Sequence, residues 1–232
     1  MFHAVRQWWG SGRGKVTARL FLFEFIVVMV GVLAAQALQN WAAHRGAMDQ
    51  MEETRARTKR ELADNLAYAL TWKAAIPCLD RRMQDVMRAL STGPLDPEII
   101  ERPSLATFIS SAVDDQSELL WRERYGNRSA DLVKAMQLNI AHAGNDIGTI
   151  VHSWGRLSLA DPRLGPVSAL DRGEARTAAA DIRAELRGLN FAVDEFVGRA
   201  RASNIAAHSP DRIRPARNCE EIWSRGMIAI PF

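Results

Sequence analysis

Hydrophobic and polar positions fall into distinct regimes along this chain. From Leu20 to Trp41 the run LFLFEFIVVMVGVLAAQALQNW is apolar almost throughout, and Phe25 to Ala35 carries no polar side chain. As a helix it is ~33 Å long, enough for a hydrocarbon core of ~30 Å. Beyond Ala42 apolar residues recur at three- and four-residue intervals, and no stretch sustains period-two alternation. Leu62, Leu66, Ala69 and Ile76 form one stripe, and Leu79, Met83, Val86, Met87 and Leu90 form the next, with Pro77 between them expected to kink or restart the helix. Ser91-Thr92-Gly93-Pro94 ends this segment.

Ser104 is placed to cap a short helix carrying Leu105, Phe108, Ile109 and Ala112. A second short piece holds Leu119, Leu120 and Trp121 and breaks at Gly126-Asn127. Ser129 is placed to cap a helix striped by Leu132, Met136, Ile140, Ala143, Ile147, Ile150, Trp154 and Leu157. After the turn at Pro162 and Gly165-Pro166, Asp171 with Glu174 resembles a capping box. Ala179, Ile182, Leu186, Leu189, Val193, Phe196, Val197 and Ala200 stripe the last long helix, which Ser209-Pro210 stops. The pattern predicts an all-α fold: one N-terminal transmembrane helix, then an antiparallel bundle of about four main helices. The expected layout is a basic cytoplasmic tail at 1–19, the membrane helix at 20–41, a periplasmic bundle at 42–208 and a C-terminal tail at 209–232.

Arg6, Arg13, Lys15 and Arg19 precede the apolar run with no acid among them, so the N-terminus is expected in the cytoplasm and the rest outside it. Arg19 and Trp41 stand where interfacial anchors belong. Ala35-Gln36-Ala37 also has the small-x-small form of a signal-peptidase site. Glu24 interrupts the run, which is longer than a signal peptide needs, and this favours an uncleaved anchor. Glu24, Val28, Gly31, Ala35 and Leu38 share one helix face with a small-xxx-small spacing. The associative reading is a helix–helix contact and a homo-oligomer; the plain one is a Glu near the headgroups that packs with nothing.

Net charge does not point to nucleic acid. Four of the 30 Lys and Arg precede the run and Glu24 is one of the 27 acids, so past Trp41 the counts are 26 and 26. The two cysteines, Cys78 and Cys219, are expected to pair in an oxidising compartment, the alternative being two buried thiols.

Few groupings resemble chemistry. Gly10 to Thr17 looks like a phosphate loop but has Trp9 and Val16 where a Walker A needs Gly and Ser/Thr. His142 and Asp146 share a helix face while His152 is turned away, which reads as a solvated face rather than a metal site. Asp114-Asp115 with Glu118, and Glu220-Glu221, fall near helix ends where acids cap or face water. Gly144-x-x-x-Gly148 with Gly155 reads as an exposed face, with close helix approach as the alternative. The Met227–Phe232 end is expected to pack on the bundle, or else to offer an apolar tail to a partner. No cofactor is expected.

Glu24-Phe25-Ile26-Val27-Val28, Gly31-Val32-Leu33-Ala34-Ala35 and Trp41, with Pro77-Cys78-Leu79-Asp80-Arg81-Arg82, resemble uncharacterised bacterial single-pass inner-membrane proteins with a helical two-Cys ectodomain. The resemblance implies an anchored helical domain and carries no activity. The function expected is a non-enzymatic scaffold or partner subunit in the cell envelope. The alternative is a small-molecule-sensing periplasmic bundle, weakened by the short segment before the anchor.

Overall fold

The computed structural model describes residues 12–93, 95–109, 115–208, 214–216 and 218–229. The chain divides into two compact units, Met1–Glu52 and Glu53–Phe232, and helix α1 (Gly12–Thr92, 81 residues) contributes to both. In the first unit every residue from Arg19 to Gly46 is exposed. Leu20 to Leu38 thus presents bare apolar side chains all round the helix, Phe21 and Phe23 being 69% and 70% exposed. By length and composition this stretch can cross a membrane. Trp41 closes it, with the Arg45 guanidinium 5.4 Å above its ring.

The second unit is all-α. The remainder of α1 joins α2 (Asp115–Tyr125), α3 (Asn127–Leu157), α4 (Ala169–Ala202) and the short α5 (Cys219–Arg225). Among the described residues the one extended pairing is β1 (Arg214–Pro215) with β2 (Ile228–Ala229), antiparallel, Arg214 opposite Ala229. Helix α4 runs antiparallel to α1 and to α3. Against α1, Arg183 meets Asp80 while Asp194 meets Lys73, and Arg176 donates to Ser91. Against α3, Asp181 meets Arg156, and a Cβ on Gly188 would lie 3.3 Å from the Asp146 carboxylate.

The stripes read from the sequence are the core. Met136, Ile140, Ala143, Ile147, Ile150, Trp154 and Leu157 are buried on α3, and all eight expected positions are buried on α4. Leu132 is only half-buried. Each fully buried Leu, Ile or Phe stabilises the unit by roughly 1.5–3 kcal/mol relative to exposure.

Local signals were less faithful. Of the two outcomes expected at Pro77, the restart does not occur: α1 runs through it. The proline removes one helical hydrogen bond at a penalty of about 3 kcal/mol, but Ile76, Cys78 and Leu79 are all buried beside it and hold both turns in the core. The helix expected from Ser104 does not form over its described residues, 104–109, and Ala112 lies outside the described residues. Residues 101–109 instead form an extended strap running back along α1, since its backbone groups have better partners across the bundle. Asn65 brackets Ile109, donating from Nδ2 to its carbonyl and accepting its N–H at Oδ1, both at 2.8 Å. The indole N–H of Trp72 donates to the Ala106 carbonyl (3.0 Å), and that of Trp154 to Ile100 (2.8 Å). Helix α3 starts after Gly126, whose φ of 83° favours glycine, and not at Ser129. The capping box of α4 is Ser168 with Asp171, three residues earlier than expected. That helix ends at Ala202, before Ser209-Pro210.

Candidate functional site

Two places in the second unit gather the side chains with chemistry. The first is the Pro77–Arg82 turn of α1. Cys78 is disulfide-bonded to Cys219, with 5.4 Å between their Cα atoms. Leu79 is fully buried. Asp80 accepts from Arg183 Nε (2.7 Å) and Gln84 Nε2 (2.6 Å). Burial pushes the Asp80 carboxyl up, but these hydrogen bonds and the charges of Arg183 and Arg187 win and hold it below the usual carboxylate value. The Arg82 guanidinium lies 4.1 Å above the Trp223 ring. One turn of α1 is thereby joined to α4 by charge and to α5 by a covalent bond and a cation–π contact. This is a structural junction.

The C-terminal segment completes it. Ala216 N–H donates to Met227 O, and Met227 N–H donates to the strap at Ser104 O, both at 2.9 Å. Gly226, at φ +82°, presses on Ser104 so closely that a Cβ would lie 2.6 Å from the serine Cβ. Ile222 is buried, and so is Met227, the first residue of the end expected to pack on the bundle, while residues 230–232 lie outside the described residues.

The second place is a cleft of about 410 Å³ between the Arg55–Leu62 stretch of α1, the C-terminal half of α2, the first turns of α3 and the end of α4. Leu62, Leu132, Val133, Met136 and Ile205 make an apolar floor. Trp121 and Tyr125 form a wall, packed edge to face with ring centroids 5.4 Å apart. Arg55, Lys59 and Arg128 stand around the cleft, and among the described residues no carboxylate lines it. The Arg55 guanidinium lies 4.5 Å above the Tyr125 ring. Two acids on α2 and α3 are turned to other partners: Glu118 takes Arg122 and Lys134, and Asp131 takes Arg122. Hydrogen bonds from Lys134 and Arg122 hold the Glu118 carboxyl below its ordinary value.

Ser129, expected as a cap, instead accepts the Trp121 indole N–H at 3.1 Å and fixes the wall. Tyr125 Oη and Ser203 Oγ, both on lining residues, are shut off from water with no hydrogen-bond partner among the described residues. A buried polar group left so costs about 1–3 kcal/mol. The size and the mixture of an apolar floor with a few polar groups suit a small-molecule site.

No protein-family model, curated protein or solved structure matches this chain.

The residues singled out from the sequence are scattered. Glu24, Val28, Gly31, Ala35 and Leu38 are exposed on α1, and a Cβ at Gly31 would meet nothing within 4 Å. Arg19 and Trp41 are exposed near the two ends of the apolar run. Gly10 and Ser11 of the loop-like motif lie outside the described residues, as do Asp114 and the tail's Ser209-Pro210. His142 and His152 are exposed on α3. Asp146 is half-buried, and burial with the nearby Glu185 charge raises its pKa, His142 opposing. Among the described residues no three His, Cys, Asp or Glu side chains are grouped to hold a metal ion. Gly144, Gly148 and Gly155 face open space. Glu220 and Glu221 lie in the first turn of α5, where Asn218 Oδ1 accepts the Glu221 N–H at 2.9 Å. The cleft was missed. Its one sequence signal was Arg55 and Lys59 four apart on one helix face, with Arg128 beside the Gly126 break.

Proposed function

We propose that this protein is a membrane-anchored, non-enzymatic helical domain that serves as a scaffold or partner subunit in the bacterial cell envelope. In this reading α1 crosses the inner membrane, the N-terminus is cytoplasmic, the second unit is periplasmic, and nucleic acid is not a partner. The apolar run from Leu20 to Leu38, exposed on every side, carries the reading, because such a surface is tolerated in lipid and not in water. The Cys78–Cys219 disulfide supports it, since such bonds persist in oxidising compartments. The Glu24–Leu38 face is where two anchors would meet as a homo-oligomer.

The test is an intact mass of the protein from a bacterial host, alkylated without prior reduction. Full length with both cysteines protected is the expected result. A chain starting at Leu38, or two alkylated cysteines at full length, refutes the anchored periplasmic reading. Crosslinking in living cells followed by affinity capture then tests the scaffold role, which fails if nothing beyond background is recovered. A second reading, a ligand-binding bundle, is favoured by the cleft beside Trp121 and Tyr125.

A further inference from the structure

The charge and shape of the cleft specify what it takes. Among the described residues, the three ionisable side chains that line it apart from Tyr125 are all cationic: Arg55, Lys59 and Arg128. They come from two separate helices, α1 and α3, so their convergence is a property of the fold and not of one basic run. Arg55 is already oriented by the Tyr125 face. Below them the surface turns apolar at Leu62, Met136 and Ile205, with the Trp121 indole N–H already committed to Ser129. An inorganic anion would satisfy the rim and leave the floor empty. A neutral apolar molecule would fill the floor and leave the cations without a counter-charge. A volume near 410 Å³ lies within the range of small-molecule sites.

We infer that this cleft binds an amphipathic anion, a carboxylate or phosphate head held by Lys59, Arg128 and Arg55 with its apolar body against Trp121, Leu62 and Met136. The inference rests on the ligand-binding reading above and is independent of the scaffold role. The head group forms charge-assisted hydrogen bonds to the two helices. The same chemistry has two sources, a free organic acid or the head of an anionic lipid.

The probe is 2-naphthoate, titrated calorimetrically into the full-length protein in phosphatidylcholine nanodiscs, with 2-naphthamide as the uncharged comparison. Naphthoate is expected to bind saturably at one site per chain, and at least about tenfold more tightly than the amide, the loss of one hydrogen bond to a charged group. Lys59→Ala/Arg128→Ala should weaken naphthoate by about tenfold or more and leave the amide unchanged. Both side chains are exposed, so the fold is retained, which an unchanged circular-dichroism melting curve verifies. Equal binding of acid and amide would overturn the inference while leaving a ligand-binding bundle in place. Absence of saturable binding by either would overturn both. Repeating the titration in nanodiscs containing phosphatidylglycerol assigns the source: competition identifies a bilayer lipid, and unaltered binding a free acid, each upholding the anionic amphiphile.

Discussion

Breaking the Cys78–Cys219 bond is the perturbation whose effect can be worked furthest from the structure. The bond closes a loop with a sequence separation of 141 residues. In the chain-entropy treatment such a closure stabilises the native state by about 5 kcal/mol. That full value applies only if the segment holding Cys219 unfolds together with the helices. The contacts say that it does: Ile222 and Met227 are buried, Met227 N–H is bonded to Ser104, and Trp223 lies under Arg82. With residues 53–232 unfolding as one unit, an unfolding entropy of about 2.1 cal/mol/K per residue converts the loss into a fall in Tm of about 13 °C. The assay is thermal unfolding of the full chain in nanodiscs, followed by near-ultraviolet circular dichroism. Oxidised protein, the same protein after reduction, and Cys78→Ala/Cys219→Ala are compared, so that lost packing at the buried Cys78 is separated from lost closure. A fall under about 3 °C in both the reduced protein and the double variant would refute the reasoning. It would mean that the C-terminal segment opens by itself and that the bond tethers two independently unfolding parts.

Other expectations follow from single contacts. Asn65→Ala removes both hydrogen bonds that hold the Ile109 backbone and should destabilise by about 1–3 kcal/mol in urea unfolding, with faster amide exchange at Ile109. Gly226→Ala places a Cβ against Ser104 at a backbone conformation suited to glycine, and a loss of at least about 2 kcal/mol is expected by the same measurement. Asp80 and Asp146 should give opposite pH signatures. The depressed Asp80 carboxyl contributes stability above its unfolded pKa of 3.8, lost as pH falls through its lower folded value, so Asp80→Asn lowers Tm at pH 7 and converges on wild type in strong acid. The raised Asp146 carboxyl favours the native state below 3.8 and loses that contribution as pH rises through its higher folded value, so Asp146→Asn raises Tm at pH 7 and leaves it unchanged near pH 3.

Periodicity was the legible part of this chain, and for a physical reason. Long helices bury a continuous stripe, so the positions from Met136 to Leu157 and from Ala179 to Ala200 could be read directly, and they are the core. Signals that depend on one residue and its neighbours in sequence were overridden by partners distant in sequence. Ser104 has the chemistry of a helix cap, but Asn65, Trp72 and Met227 claim the backbone of the strap around it. Pro77 has the chemistry of a break, but both flanking turns are held in the core. The Ser129 hydroxyl accepts the Trp121 indole N–H in place of capping a helix. The cleft was illegible because its cations come from positions 55, 59 and 128, which only packing brings together. The Pro77–Arg82 motif stood out in the sequence, though its meaning as a junction needed Arg183, Cys219 and Trp223 beside it.

The wide spacing of the two half-cystines also governs how the chain can mature. Cys78 is synthesised well ahead of Cys219, and at about 5–20 residues per second the interval is roughly 7–28 s. Throughout that interval its thiol has no intramolecular partner, correct or incorrect, because the chain holds just two cysteines. With two cysteines in the sequence there is no second intramolecular pairing, so any mispairing of the nascent chain is intermolecular, with a neighbouring copy or with another thiol. Crowded synthesis, where neighbouring copies meet before Cys219 is made, favours one such product, a covalent dimer joined at Cys78.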